Sequence, residues 1–220
     1  FAFGDFVLWE DTYQGIEREI PIHVYAKPNQ IDKVAGTFVN TKEIAAFYED
    51  KFGPYPFNRI GYVSTNLGCM EHVDNIAFAS SLINGKSTFD NESFIAHEMS
   101  HAWFGNKVTC ATDGDMWLNE GFATFSNYYY LTELYGEDVY NEYMNNLINN
   151  IIMSCHTKEG WIPLNDMSLD LTYGTTVYDK GAIVVHTMMN YLGKETFDAV
   201  MKRYIDKFAF KTVSSEELRD

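Results

Sequence analysis

Hydrophobic and polar residues change rhythm along this chain. Residues 1–27 alternate between the two and are rich in Val, Ile and Tyr, which predicts strands with a turn near Gly15. "TKEIAAFYEDKFG" (41–53) spaces its apolar residues as a helix does, with Thr41 the expected cap and Gly53 the stop, and "GPYPF" breaks it. "RIGYVSTN" (59–66) and "NIAFASSLI" (75–83) predict strands on either side of "LGCMEHVD" (67–74). Helical spacing then takes over, at 91–105, 116–135, 137–155, 176–192 and 195–208, with "GWIPLNDMS" (160–168) as a loop. At the far end "TVSSEELRD" pairs an N-cap Ser with an acidic first turn. A sheet-forming part followed by a helical part is an α+β order. The chain shows no repeat and no low-complexity tract.

Composition narrows this picture. The 220 residues are 46% hydrophobic and 16% aromatic, enough for a buried core and unlike a disordered chain. No apolar run approaches the roughly 20 residues of a membrane span. The formal charge of −15 argues against a nucleic-acid partner, which needs clustered Lys and Arg. It suits a cationic ligand such as a peptide amine, and equally serves solubility. Cys69, Cys110 and Cys155 form neither a disulfide framework nor a CxxC knuckle and are expected as buried small residues. The chain opens on a strand-like "FAFGDFVLWE" without a Met and stops on a beginning helix. A fragment of a longer polypeptide is therefore expected, leaving any targeting segment and the compartment unread.

Candidate chemistry lies in "FIAHEMSHAWFGN" (94–106). His97 and His101 stand at i and i+4, on one face of a helix, so both imidazoles reach one ion at about 2.0–2.1 Å. Glu98 is turned about 100° from His97 and flanks the ion without ligating it, where a base takes a proton from water. HExxH is three fixed letters, so its context decides. The flanks "FIA" and "AWF" predict a buried helix, on which unsatisfied polar groups would cost several kcal/mol. The helix "MWLNEGFATFSNYYY" offers a third ligand, Glu120, among Trp117, Leu118, Phe122 and Phe125. Eighteen residues separate it from His101, room for a loop through "KVTCATDG" and an antiparallel return. Two histidines and a carboxylate leave a fourth position for water, as in catalytic zinc sites. Asn91, Glu92 and Ser93 match a glycosylation sequon, but Asn91 is expected to cap this helix.

With these residues in view, the chain resembles the M1 zinc aminopeptidases, which are gluzincins. "HEMSH", 18 residues and "WLNEGFA" look like the zinc-binding arrangement of that family. "GCMEH" (68–72) is similar to its GxMEN exopeptidase motif, "HAWFGNKVT" (101–109) continues the zinc helix in its manner, and "TVYDKGA" (176–182) resembles its catalytic-tyrosine segment. The resemblance implies a thermolysin-like catalytic domain with a small N-terminal mixed sheet and a helical C-terminal part, over residues 8–220. Residues 1–7 would be the tail of a preceding β-domain, and the chain would stop before a helical domain.

It also implies roles. His97, His101 and Glu120 match the ligands of one zinc ion (Zn2+), and Glu98 matches the general base. Tyr178 matches the tyrosine that stabilises the oxyanion, with Tyr173 the runner-up. Glu71 matches the carboxylate that holds the substrate's free α-amine, and the Gly68, Cys69 and Met70 backbone would pair with an extended peptide. His72 departs from the family's usual Asn, which bears on the substrate subsite and on pH dependence. The implied activity is hydrolysis of the N-terminal bond of peptides with a free N-terminus. Three rivals stand beside it: an aminopeptidase that also opens an epoxide, a catalytically inactive relative, and an endopeptidase. All implied ligands are present, against the second, and Glu71 argues against the third.

Overall fold

Strand pairing begins at once. In the computed structural model, which describes residues 2–220, β1 (Val7–Gln14) turns at Gly15 and runs antiparallel to β2 (Glu19–Ala26), Val7 facing Ala26 and Gln14 facing Glu19. The turn is closed by Gly15 N–H donating to the Arg18 carbonyl at 3.0 Å. Contacts divide the chain into two units, one ending at Ala102 and one spanning Trp103–Asp220.

In the first unit β3 (Ile60–Thr65) adds parallel to β2, and β4 (Ile76–Ala79) parallel to β3, giving a mixed sheet in the order β1-β2-β3-β4. Three helices accompany it: α1 (Ile31–Thr37), α2 (Thr41–Phe52) and α3 (Phe89–Ser100). Ile22, Val24, Tyr48, Phe52, Tyr62 and Phe78 are all buried. Phe38 packs against Tyr62 and Phe78 at 4.9 and 5.2 Å between ring centres. The buried carboxylate of Glu49 on α2 accepts from the Tyr13 hydroxyl (2.8 Å) and from the Ile16 and Tyr55 amides (2.9 and 2.8 Å), tying the β1–β2 hairpin to that helix. Burial, together with this carboxylate, pushes the Tyr13 hydroxyl far above its ordinary pKa.

The second unit is built on α4 (Trp117–Tyr135), whose residues from Trp117 to Asn127 are all buried. A helix buried on every side belongs in an interior, although Asn119, Glu120, Thr124, Ser126 and Asn127 are among its buried residues. Around it lie α5 (Glu137–Asn150), α7 (Gly181–Leu192) and α8 (Lys194–Lys207). Phe104 stacks on Phe122 at 4.8 Å, and Phe125 meets Phe197 edge-on at 5.5 Å. β5 (Val108–Cys110) pairs parallel with β6 (Lys211–Val213), and α9 (Ser215–Arg219) follows with the expected N-cap Ser, Ser214, which forms a capping box with Glu217. Two π-turns interrupt the helices. One (Ile151–Cys155) carries α5 into the short α6 (His156–Lys158); the other (Thr176–Lys180) leads into α7.

Several local expectations are corrected. Thr41 is the first residue of α2 rather than its cap, and its hydroxyl donates back to the Phe38 carbonyl at 2.7 Å. Thr88, not Asn91, caps α3: its hydroxyl oxygen accepts from the Asn91 amide at 3.3 Å. The Asn91 side chain instead donates to Asn84 Oδ1 and the Lys86 carbonyl. The helix expected over 91–105 runs 89–100; past its end Gly105 (φ +130°) turns the chain and donates to the Val108 carbonyl at 2.8 Å. Of the three cysteines, all free, only Cys155 is buried; Cys69 and Cys110 are half-buried. Among the described residues no helix is long and apolar enough to cross a membrane.

Candidate metal centre

α3 is fixed before it offers any ligand. Thr88 caps it, and Asp90 and Glu92 in its first turn favour the positive end of the helix dipole. Buried Glu92 accepts from Asn40 Nδ2 at 2.7 Å and from the Ser87 hydroxyl. Two tyrosine hydroxyls, Tyr48 from α2 and Tyr62 from β3, donate to the Ala96 and Ile95 carbonyls at 3.0 and 3.3 Å. Ile95, Ala96 and Met99 are buried. His97 and Glu98 lie on this same anchored helix.

α3 ends at Ser100, yet His101 keeps helical dihedrals (φ −60°, ψ −17°), so the i, i+4 relation to His97 survives. The two rings stand edge to face, 84° apart, with their Nε2 atoms 3.3 Å from each other. Two nitrogens each at about 2.05 Å from a tetrahedral ion would lie about 3.35 Å apart. The pair therefore has the spacing of two ligands to one zinc. His101 is 1% exposed and His97 half-buried. Ser100 Oγ donates to the His97 carbonyl at 2.7 Å, closing the last turn.

Glu98 is buried beside this pair. Ligand atoms of Glu71, Glu98 and His101 all lie within 4.8 Å of one another, and Glu71 Oε1 is 3.9 Å from His101 Nδ1. The charge of Glu98 is felt by its neighbours. Burial pushes the Cys69 thiol up to about 11, and Glu98 adds to that against a lowering bond from the Ala79 amide. Burial also lifts the Tyr62 hydroxyl well above its usual value, with Tyr55 and Glu98 contributing.

The loop bearing Glu71 folds back on β4. Gly68 takes φ +107°, and Met70 exchanges both backbone bonds with Ala77 (3.0 and 2.9 Å). The backbone amide and carbonyl of Met70, one of the residues expected to pair with a peptide, thus bond within the protein. A cleft of about 720 Å³ opens on this loop, lined among others by Val63, Thr65, Gly68, Met70 and His72. His72 and Met70 are exposed.

In the second unit Glu120 is the fourth residue of α4 and 3% exposed, with Trp117, Leu118 and Phe122 buried around it. Tyr178 is half-buried at the centre of the second π-turn, and its amide donates to the Gly174 carbonyl at 3.3 Å. Tyr173 is 64% exposed. Sequence reasoning gave no role to Gly121, Gly181 or Glu159. Gly121 and Gly181 cross directly, which the small residue beside each motif ("NEG", "DKG") signalled; nothing local marked Glu159.

The peptidase family M1 domain matches residues 37–220. The chain is similar to endoplasmic reticulum aminopeptidase 1 of Mus musculus, 28% identical over 215 residues, covering 90% of this chain and 23% of that protein. It is also similar to mitochondrial aminopeptidase 2 of Saccharomyces cerevisiae, 30% identical over 220 residues, covering 91% and 23%. The chain thus spans about a quarter of the length of these curated relatives. In fold it matches an M1 zinc metallopeptidase from Deinococcus radiodurans, with a TM-score of 0.84 at 22% identity, over 98% of this chain and 47% of that one. A mutant of the Deinococcus radiodurans M1 zinc metallopeptidase, bound to a Tyr-Ser-Ala substrate, matches with a TM-score of 0.84 at 21% identity, over 98% and 47%.

Proposed function

We propose, from the premise that this chain belongs to peptidase family M1, that it carries the catalytic centre of a zinc aminopeptidase. The observation that carries the reading is the 3.3 Å separation of His97 and His101 Nε2 on a buried helix with Glu98 beside them. His97, His101 and Glu120 would hold one zinc ion per chain. Residues 8–220 form the thermolysin-like catalytic domain in this reading, and residues 1–7, of which Phe1 lies outside the described residues, the tail of a preceding β-domain.

When bound, zinc supplies Lewis acidity to the scissile carbonyl and makes a water easier to deprotonate. Glu98 takes the proton from the attacking water and returns it to the leaving amine. The hydroxyl of Tyr178 donates to the oxyanion as its charge develops. Glu71, 15% exposed, receives the substrate's α-ammonium, and a partly dry carboxylate favours that charge over a neutral blocked end. Gly68 and Cys69 hold the peptide backbone in extended form. The substrates are peptides with a free N-terminus, as the names of the curated relatives and the bound tripeptide of the solved relative suggest.

The test is metal analysis beside turnover. The purified protein is expected to hold one zinc and to hydrolyse an aminoacyl amide, and His97→Ala to lose both. A protein that stays metal-free after zinc dialysis ends the reading.

A further inference from the structure

Tyr178 sits on a π-turn, a wide turn whose first amides have no partner within the helix. Those amides are covered from outside. Glu159, just past α6, accepts from the Thr175 amide at 2.5 Å and from the Thr176 amide at 2.8 Å with its two carboxylate oxygens. The carboxylate lies against Gly174, where a Cβ would fall 2.8 Å from Glu159 Oε1. The Gly174 carbonyl in turn accepts from the amides of Val177 (3.1 Å) and Tyr178 (3.3 Å). Two further ties reach the same turn: Asn150 Nδ2, at the end of α5, donates to Asp179 Oδ2 at 2.6 Å, and Cys155 Sγ, in the first π-turn, is 2.9 Å from Thr176 Oγ1. These groups lie outside the set assigned to chemistry above.

We infer that Glu159 is a positioning residue for Tyr178: it anchors the Gly174–Thr176 backbone from which the Tyr178 side chain is aimed. The inference rests on the role of Tyr178 stated above. A carboxylate that takes two consecutive amides of a turn sets where the next residues start. Without it, the turn is free to relax toward ordinary α-helix, which rotates Tyr178 about the axis. A misplacement of about 1 Å at a catalytic group costs on the order of 10²-fold in rate. Because the oxyanion contact acts on charge that appears only in the transition state, the loss belongs in kcat and not in KM.

The experiment is a double-mutant cycle in the zinc-loaded protein, reading kcat, KM and thermal midpoint for Tyr178→Phe, Glu159→Ala, Glu159→Gln and the pair Tyr178→Phe/Glu159→Ala. Glu159→Ala is expected to lower kcat by on the order of 10–10²-fold with KM within about twofold. Glu159→Gln keeps one acceptor and recovers part of the loss. The pair should be no slower than Tyr178→Phe alone, since both changes remove one effect. Multiplicative losses in the pair, or a Glu159→Ala kcat near wild type, overturn the positioning role while leaving Tyr178 in place. A Tyr178→Phe protein with unchanged kcat instead removes Tyr178 from the chemistry and this inference with it. If Glu159→Ala does not fold, the same cycle built on Glu159→Gln separates these outcomes.

Discussion

Gly121 and Gly181 cross with nothing between them: a Cβ on Gly121 would lie 2.8 Å from Gly181 Cα, and one on Gly181 2.9 Å from Gly121 Cα. Gly121 follows Glu120 on α4, and Gly181 opens α7 three residues after Tyr178. The contact is backbone on backbone, so no rotamer change relieves an added methyl. It fixes how closely the two segments approach and, with that, the separation of Glu120 and Tyr178.

Gly121→Ala is accordingly expected to destabilise the protein by about 1–3 kcal/mol through overpacking. Thermal unfolding measures it. A midpoint at or above wild type would show that α4 and α7 are free to part.

Glu98→Ala should keep the zinc and lower aminoacyl-amide turnover by on the order of 10²–10⁴-fold, because it removes a base and not a ligand. Metal content and kcat are read together. Metal loss with the activity would move Glu98 into the ligand set, and near-normal turnover would remove it from the chemistry.

Glu71→Ala should narrow the preference for free over acetylated N-termini, mainly by slowing the free-amine substrate, since the substrate's ammonium then has no carboxylate to pair with. The measurement is kcat/KM for one peptide in both forms. Equal cleavage of the two by wild type would defeat the amine-anchor role of Glu71.

Acid should remove the stabilisation that Glu159 gives the π-turn. Burial alone would raise the pKa of Glu159, but hydrogen bonds from Thr176 and Thr175 outweigh it and hold the carboxyl below its ordinary 4.5. A folded value below the unfolded one means that this stabilisation is complete above about pH 4.5 and is lost as pH falls through the folded value. The loss of thermal midpoint between pH 5 and pH 3 should therefore be smaller in Glu159→Gln than in wild type, with pH set at roughly these limits from the reference carboxylate value. Superimposable curves would deny Glu159 a pH-dependent contribution.

The half-buried thiols should react slowly. Burial pushes both Cys69 and Cys110 up to about 11, with Asp115 and Asp113 adding to the effect at Cys110. The thiolate is the nucleophile, so alkylation at pH 7 should be far slower than for a free thiol and should accelerate up to about pH 11. Fast labelling at neutral pH would place them outside this environment.

What the sequence made legible was whatever a short window encodes. The period-2 run of residues 1–27, the helical spacing of α2 and α4 and the His97–His101 pair all state their geometry within one or two turns. The missed parts depend on residues distant in sequence. β5 and β6 are three residues each and pair across about 100 positions, so neither has a readable period. α1 is seven residues long and lacks a side-chain cap. Asn91 looked like a cap because its amide chemistry suits one, but Thr88 occupies that position and leaves Asn91 to hold the preceding loop. The two π-turns follow helical spacing in sequence and differ from it only by one inserted residue.

The late partner of β5 makes the second unit a matter of timing. Trp117 Nε1 donates to Ser215 Oγ at 2.9 Å, and Asp115 Oδ1 accepts from the Ser215 amide and hydroxyl at 2.9 and 2.7 Å. The base of the helix that bears Glu120 is thus clasped by residues made about 100 positions later. During synthesis at roughly 5–20 residues per second, α4 waits for several seconds before its clasp exists. Until then the faces of α4 that end up buried, and the carboxylate of Glu120 among them, lack the part of their enclosure that Ser215 closes.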